Sequence, residues 1–315
     1  MIRRILAESG GLPRGYLGPG DDVALVPIGG KRLVAKVDML VGRTDVPKKM
    51  TFRQAARKAV AMCVSDFASK GVRPDAFLVS LGRERKTTSR QVEEIGLGLA
   101  DAAKEWRLKM VGGDTNESDD LVIDIAMFGF ADGVVERRGA RAGELVVTTG
   151  LYGFPPSGLG ILIDGTAASP SFARKAVESV VHPTPDLEVG IALKRYLTSS
   201  MDSSDGLAIC LYTLAESNGL GIELERLPVG HGVKGYAAAN GLDYKRLVLA
   251  GGEEYLIVGT VKRQNLAAAE RSVKKSGGSL VVIGRTNADS GRVSLKEDGK
   301  TAVIAREGWT HLSRR

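Results

Sequence analysis

The sequence predicts an α+β fold in two domains, and three observations carry that prediction. Strand-like and helix-like patterns alternate through the first half. Consecutive strands on either side of Gly112–Asp120 have no helix between them, which a regular doubly wound sheet would require. A glycine- and arginine-rich break at Gly139-Ala140-Arg141-Ala142-Gly143 separates two strand-like runs. The expected division is residues 1–140 and 141–315, and 315 residues are enough for two such units.

Taken in order, Arg32–Val41 reads as a strand and Thr51–Lys70 as a helix. The helix opens with a capping box in which Thr51 and Gln54 serve each other's backbone N–H. Ala76–Leu81 is a strand. Thr88–Trp106 is a second helix with the same device at Thr88 and Gln91. Strands follow at Leu108–Val111 and Leu121–Phe130, the latter alternating in part, as a sheet with one covered face does. Glu144–Thr149 opens the second unit. Helices are expected at Phe172–Val181, Pro185–Leu197, Gly206–Ser217 and Lys262–Ser276, and strands at Gly221–Glu225, Glu254–Val261, Leu280–Gly284 and Val293–Lys296. The glycine-rich Gly150–Gly160 stretch reads as a phosphate-side or mobile loop.

Composition narrows the function classes. No apolar run is long enough to span a bilayer, and Met1-Ile2-Arg3-Arg4 opens no signal-peptide stretch. Cys63 and Cys210 form no metal or redox motif, so a reduced, cytoplasmic setting is expected. The net charge of +7 is scattered, in short pairs such as Lys274-Lys275 and Arg314-Arg315. A nucleic-acid binder would concentrate it in a stripe with interleaved aromatics, and anionic small substrates explain the positive field equally well. The P-loop, His-Glu-x-x-His and nucleophile-elbow signatures are absent, and His182, His231 and His311 lie far apart.

Six aspartates remain: Asp22, Asp38, Asp66, Asp114, Asp202 and Asp205. Most follow a hydrophobic run or open a helix, where a side chain projects from a rigid element into a cleft. Each has an ordinary alternative: turn acceptors for Asp21-Asp22, the open face of a strand for Asp38, a plain turn for Gly112-Gly113-Asp114-Thr115, an N-cap for Asp205. Asp66 is the exception. It falls in an otherwise apolar helix, where a carboxylate is costly unless paired or metal-bound. Together, with no other catalytic set in the chain, the six favour magnesium and phosphate chemistry. Arg137 is either a bidentate phosphate ligand or a solvated surface arginine. Trp309 is either core packing or a platform for a flat cationic ring. Glu253 follows Gly251-Gly252, in a turn or over a substrate.

In chain order these motifs resemble the thiamine-monophosphate kinase family, of the aminoimidazole ribonucleotide synthetase-like superfamily. The resemblance rests on Gly20-Asp21-Asp22, Asp38-Met39-Leu40-Val41, Val64-Ser65-Asp66-Phe67-Ala68-Ser69-Lys70-Gly71, Gly112-Gly113-Asp114-Thr115, Arg137, Asp202 through Leu207, Gly251-Gly252-Glu253 and Gly308-Trp309-Thr310-His311, nearly end to end. It implies an N-terminal mixed sheet with helices on one face and a C-terminal α/β sandwich. It further implies a homodimer paired through N-terminal sheets, and direct transfer of the ATP γ-phosphoryl to thiamine monophosphate. The six aspartates would hold several magnesium ions. Gly113, Asp114, Arg137 and Ser204 would bind ATP, with Asp114 and Arg137 catalytic. Glu253 and Trp309 would contact the thiamine end. Two departures stand out: Lys36-Val37 replaces a small hydroxylated pair, and Val41-Gly42-Arg43-Thr44-Asp45 lacks the family's histidine, with Arg43 as its expected substitute. The alternatives are a purine-pathway relative and a basic nucleic-acid-binding protein that keeps the fold.

Overall fold

Alternating apolar residues in the first half need a covering layer on one side only, and the chain supplies it with two helices. In the computed structural model, which describes residues 11–309, the first sheet contains five strands. They are β1 (Ala24–Ile28), β2 (Lys31–Val41), β3 (Ala76–Arg83), β4 (Lys109–Glu117) and β5 (Val122–Phe130), in the order β1-β2-β5-β3-β4. Only β3 and β4 pair in parallel. Gly29 and Gly30, both at positive φ, turn β1 into β2, the geometry a two-residue hairpin demands. A one-turn helix α1 (Gly42–Asp45) follows β2. Then come α2 (Phe52–Ser69) and α3 (Ser89–Glu105), each opened by the expected capping box.

The inner face of this sheet buries Val34, Leu40, Phe77, Ile123, Ile125 and Met127, and α2 packs on β2, β5 and α3. The outer face, carrying Val37, Met39 and Leu78, is left uncovered by the described residues.

The second sheet has seven strands: β6 (Leu145–Thr148), β7 (Leu197–Asp202), β8 (Gly221–Leu224), β9 (Ile257–Val261), β10 (Val281–Asn287), β11 (Val293–Glu297) and β12 (Lys300–Val303). Their order is β12-β11-β8-β10-β6-β9-β7. The helices here are α4 (Phe154–Leu159), α5 (Pro170–Val181), α6 (Leu187–Leu193), α7 (Leu207–Asn218), α8 (Val233–Ala239), α9 (Tyr244–Ala250) and α10 (Leu266–Lys275). The α+β expectation holds. Helix α2 lies between the two halves: besides β2 and β5 it touches α6, β7 and β9. The α2–α6 contact is close enough that a Cβ on Gly190 would sit 1.9 Å from the Ala68 carbonyl oxygen.

Several boundaries move, each for a local reason. Gly150–Gly160 is not a loop. Gly153, left-handed at φ 101°, and Pro155 in the first turn start α4, which buries Phe154 and Ser157 and continues into a π-helical turn, Gly160–Asp164. The strand expected from Glu254 begins only at Ile257, because Glu253 and Tyr255 have φ of 65° and 51°. The expected helix Pro185–Leu197 ends at Leu193, and Leu197 begins β7. Gly112–Thr115 does not end a strand but lies inside β4, where a Cβ on Gly113 would fall 2.0 Å from the Val79 carbonyl oxygen.

Candidate active site

Elements from both sheets converge on a cleft of about 630 Å³. Asp22 enters it from the turn before β1, where Gly20 takes a φ of 105°. Lys36 and Asp38 come from the inner face of β2, and Asp66 from the last turns of α2. Asp202 ends β7, and Asp205 lies just before α7. The residue at the N-cap of α7 is Gly206, one position beyond Asp205.

Asp22, Asp66 and Asp202 are buried, and each offers an oxygen within 4.8 Å of the others. Fixed cations compensate them unevenly. The buried Lys70 ammonium lies 2.7 Å from Asp21 Oδ1 and 2.7 Å from Asp22 Oδ2, and donates to the Ser200 carbonyl at 2.6 Å. Arg137 Nε donates to Asp22 Oδ1 at 2.9 Å, and its backbone N–H donates to Asp21 Oδ2 at 2.9 Å. Lys36 Nζ lies 3.0 Å from Asp66 Oδ2. Among the described residues, the hydrogen bond to Asp202 Oδ2 comes from the Ser65 hydroxyl at 3.0 Å.

The proton affinities follow this imbalance. Burial works against an ionised Asp22, but Lys70 and Arg137 outweigh it and lower its pKa. Burial raises Asp66 well above the usual carboxylate range, and Asp202 beside it adds to the rise. Burial and then Asp22 push Asp202 up to about 7. Burial also raises Asp38, with Lys36 opposing. Carboxylates held in this condition take up either protons or a cation. An all-oxygen donor set without histidine or thiolate fits magnesium, so the residues present suit the ion that phosphate chemistry calls for.

A second wall completes the cleft. Glu253, left-handed at φ 65°, is anchored by its backbone N–H to the Ser204 carbonyl at 2.7 Å. Its Oε1 meets Lys58 Nζ at 2.5 Å, while Oε2 has no hydrogen-bond partner among the described residues. Lys58 is fully buried in α2 and also donates to the Asp45 carbonyl at 3.0 Å. Trp309, 39 % exposed, joins the wall, as do Arg43, Ser204 and Tyr255.

Ten of the twelve residues singled out in the sequence therefore meet here: Asp22, Arg43, Asp38, Asp66, Arg137, Asp202, Ser204, Asp205, Glu253 and Trp309. Gly113 and Asp114 do not line the cleft. Strand register sets Met39, Asp124, Ser80 and Asp114 in one row on the outer face of the first sheet. Thr310 and His311 lie outside the described residues, as do Met1-Ile2-Arg3-Arg4 and Arg314-Arg315. Three lysines organise the site without the sequence patterns assigning any of them a role, although Lys70 lies inside the Val64–Gly71 motif. Lys58 and Lys70 sit in runs of small apolar residues, and a helix buried on that face leaves a lysine no route to water. That was the available signal. Lys36 was read only as a lost hydroxyl contact.

A family model described as AIR synthase related protein, N-terminal domain, matches residues 20–131. The chain is 35 % identical over 282 residues to the thiamine-monophosphate kinase of Nitrosopumilus maritimus, covering 90 % of each. It is 33 % identical over 296 residues to that of Pyrococcus abyssi, covering 93 % of this chain and 90 % of the relative. The structure of AaThiL complexed with AMPPCP and TMP superposes with a TM-score of 0.85 at 26 % identity, over 99 % of this chain and 95 % of that one.

Proposed function

The chain belongs to the thiamine-monophosphate kinase family, and from that premise we propose that it transfers the γ-phosphoryl group of ATP to thiamine monophosphate, yielding thiamine diphosphate and ADP. The observation that carries this reading is one cleft joining a buried aspartate triad to the Glu253–Trp309 wall. One end suits phosphates and the other a flat cationic ring.

The acceptor is itself a phosphate, which is largely ionised at neutral pH, so no side chain has to remove a proton from it. An acceptor oxygen attacks the γ-phosphorus in line and the bond to the β-phosphate oxygen breaks, with no phosphorylated side chain in between. The work left to the protein is alignment and charge neutralisation. Bound magnesium would supply charge neutralisation here. Asp22, Asp38, Asp66, Asp202 and Asp205 would hold them, with Asp114 joining when a second chain brings it near. Arg137 now spends its guanidinium on Asp22, so an incoming phosphate competes with that carboxylate. Ser204 and Gly113 would complete the nucleotide site. Glu253, with one oxygen committed to Lys58 and the other unpartnered among the described residues, offers a negative neighbour to thiamine. Trp309 would stack on the ring, and Arg43, whose side chain is 80 % exposed, would approach the acceptor phosphate.

A homodimer pairing the uncovered outer faces belongs to this reading, because Val37, Met39 and Leu78 are exposed there beside Asp114. So does a division near residue 140 into a nucleotide- and metal-binding unit and a unit that completes the site. The proposed location is the cytoplasm; among the described residues no helix is long and apolar enough to cross a membrane.

The test is direct. With ATP and magnesium, thiamine monophosphate should yield thiamine diphosphate, and Asp66→Asn should slow the reaction by roughly 100- to 1,000-fold. Parallel incubations with purine-pathway substrates should give no turnover. Absence of thiamine diphosphate from the wild-type reaction refutes the assignment, and a trapped phosphoprotein refutes direct transfer.

A further inference from the structure

Lys36 differs from the other fixed cations of the cradle in where it stands. Lys70 is fully buried behind the triad and held by the Ser200 carbonyl. Arg137 serves Asp22 and the Gly20 carbonyl. Lys36 rises from β2 into the cleft itself, its side chain 23 % exposed, with its ammonium 3.0 Å from Asp66 Oδ2. Asp38 and Asp202 act on it electrostatically as well. Asp66 is at the same time a member of the triad whose oxygens lie within 4.8 Å of one another.

An ammonium and a divalent ion compete for such a carboxylate in two ways. Both require its oxygen lone pairs, and at this range they repel each other. The lysine is tethered, so its effective concentration at Asp66 does not depend on the ion content of the solution. We propose that Lys36 is a resident cation of the cradle: its ammonium occupies the Asp66 oxygen that a divalent ion would otherwise take. The chain accordingly holds one divalent ion fewer than its carboxylates could bind. This rests on the magnesium reading above and extends it to a residue that contributes no ligand.

The alternating pattern of β2 supports the assignment. On this face Val34 and Leu40 are fully buried and apolar, and between them the charged pair Lys36 and Asp38 opens onto the cleft. A lysine there is stabilised by the carboxylates it meets rather than by water.

The experiment counts bound ions instead of turnover. Manganese is titrated into the full-length protein, with free Mn²⁺ read by electron paramagnetic resonance, for the wild type, Lys36→Met, Lys36→Gln and Lys36→Arg. Circular dichroism and melting curves confirm the fold of each, and Lys36→Gln stands in should Lys36→Met fail to fold. The neutral variants should bind one more Mn²⁺ per chain than the wild type, and Mn²⁺ should raise their Tm further. Lys36→Arg should match the wild-type count. Equal or lower counts in the folded neutral variants overturn the role of Lys36. A wild-type protein that binds no Mn²⁺, with or without ATP, overturns the magnesium reading itself.

Discussion

The two faces of the five-stranded sheet share the same strands and meet opposite fates. Even-numbered residues of β2 from Val34 to Leu40 point inward, and of these Lys36 and Asp38 enter the cleft while the others pack under α2. Odd-numbered residues point outward, where Val37 is 61 % and Met39 53 % exposed. The outer row of Met39, Asp124, Ser80 and Asp114 carries two carboxylates, and Asp124 Oδ1 is buried without a partner among the described residues. The inner face thus builds its part of a site within one chain. The outer face displays the same ingredients, apolar surface and aspartates, in unfinished form. A period-two strand allows one sequence to serve both.

The sharpest way to break that contrast is at Asp66. Asp66→Asn keeps the shape and removes a charge from the triad, and should lower kcat/KM by roughly 100- to 1,000-fold, with a matching loss of Mn²⁺ affinity. Asp114→Asn should be damaging only if the outer face is completed by a second chain. Mixing it with Asp66→Asn should then restore activity, since a mixed dimer contains one site with both residues intact; full activity of Asp114→Asn on its own would place Asp114 outside the reaction, and a mixture that stays inactive would rule out a site shared between chains.

Next in size is Lys58→Met, which strands the half-buried Glu253 without its cation. Breaking a buried pair in this way costs about 3 kcal/mol, and KM for the thiamine substrate should rise more than kcat falls. Lys58→Arg should recover part of the loss. A uniform loss of stability without any change in KM would reduce this pair to packing.

Glu254 points away from the cleft and gives a pH signature of its own. Its carboxylate accepts from the Gly153 N–H at 2.5 Å, yet burial pushes its pKa up to about 8. The folded state therefore holds a proton that the unfolded state releases near pH 4.5. Stability should fall as pH rises from about 4.5 to about 8, by at most roughly 1.4 kcal/mol per pH unit, and level off above. Glu254→Gln should flatten that part of the Tm-against-pH curve. The smallest effect is expected at the surface, where Arg53→Ala, which breaks the exposed pair with Asp101, should leave Tm almost unchanged.

What the sequence disclosed follows from the range of the forces involved. Capping boxes at Thr51 and Thr88 are local and were readable as written. The aspartates of the cleft were readable through the order of their motifs, although only folding brings Asp22, Asp66 and Asp202 together. The lysines were not, because a lysine's usual place is in water and its partners here are distant in the chain: Lys58 pairs with Glu253, and Lys36 with Asp66. The Gly150–Gly160 stretch misled for the same reason. Its glycines suggest a loop, and only packing against α5 makes it a helix. Asp114 belonged to a readable motif, yet strand register, a tertiary property, turns it to the other face.

Helix α2 also sets a distance. Along α2 and its cap, Lys58 holds Glu253, Ser65 holds Asp202, Asp66 faces the cleft, Ser69 donates to Asp22, and Lys70 grips Asp21 and Asp22. Successive turns of a single rigid rod thus meet both ends of the site. At the α-helical rise, Lys58 and Asp66 are about 12 Å apart along the axis. That interval is set by main-chain geometry rather than by any flexible loop. It acts as a ruler between the Glu253–Trp309 wall and the aspartate triad, a spacing that no side-chain rearrangement can retune without breaking the helix.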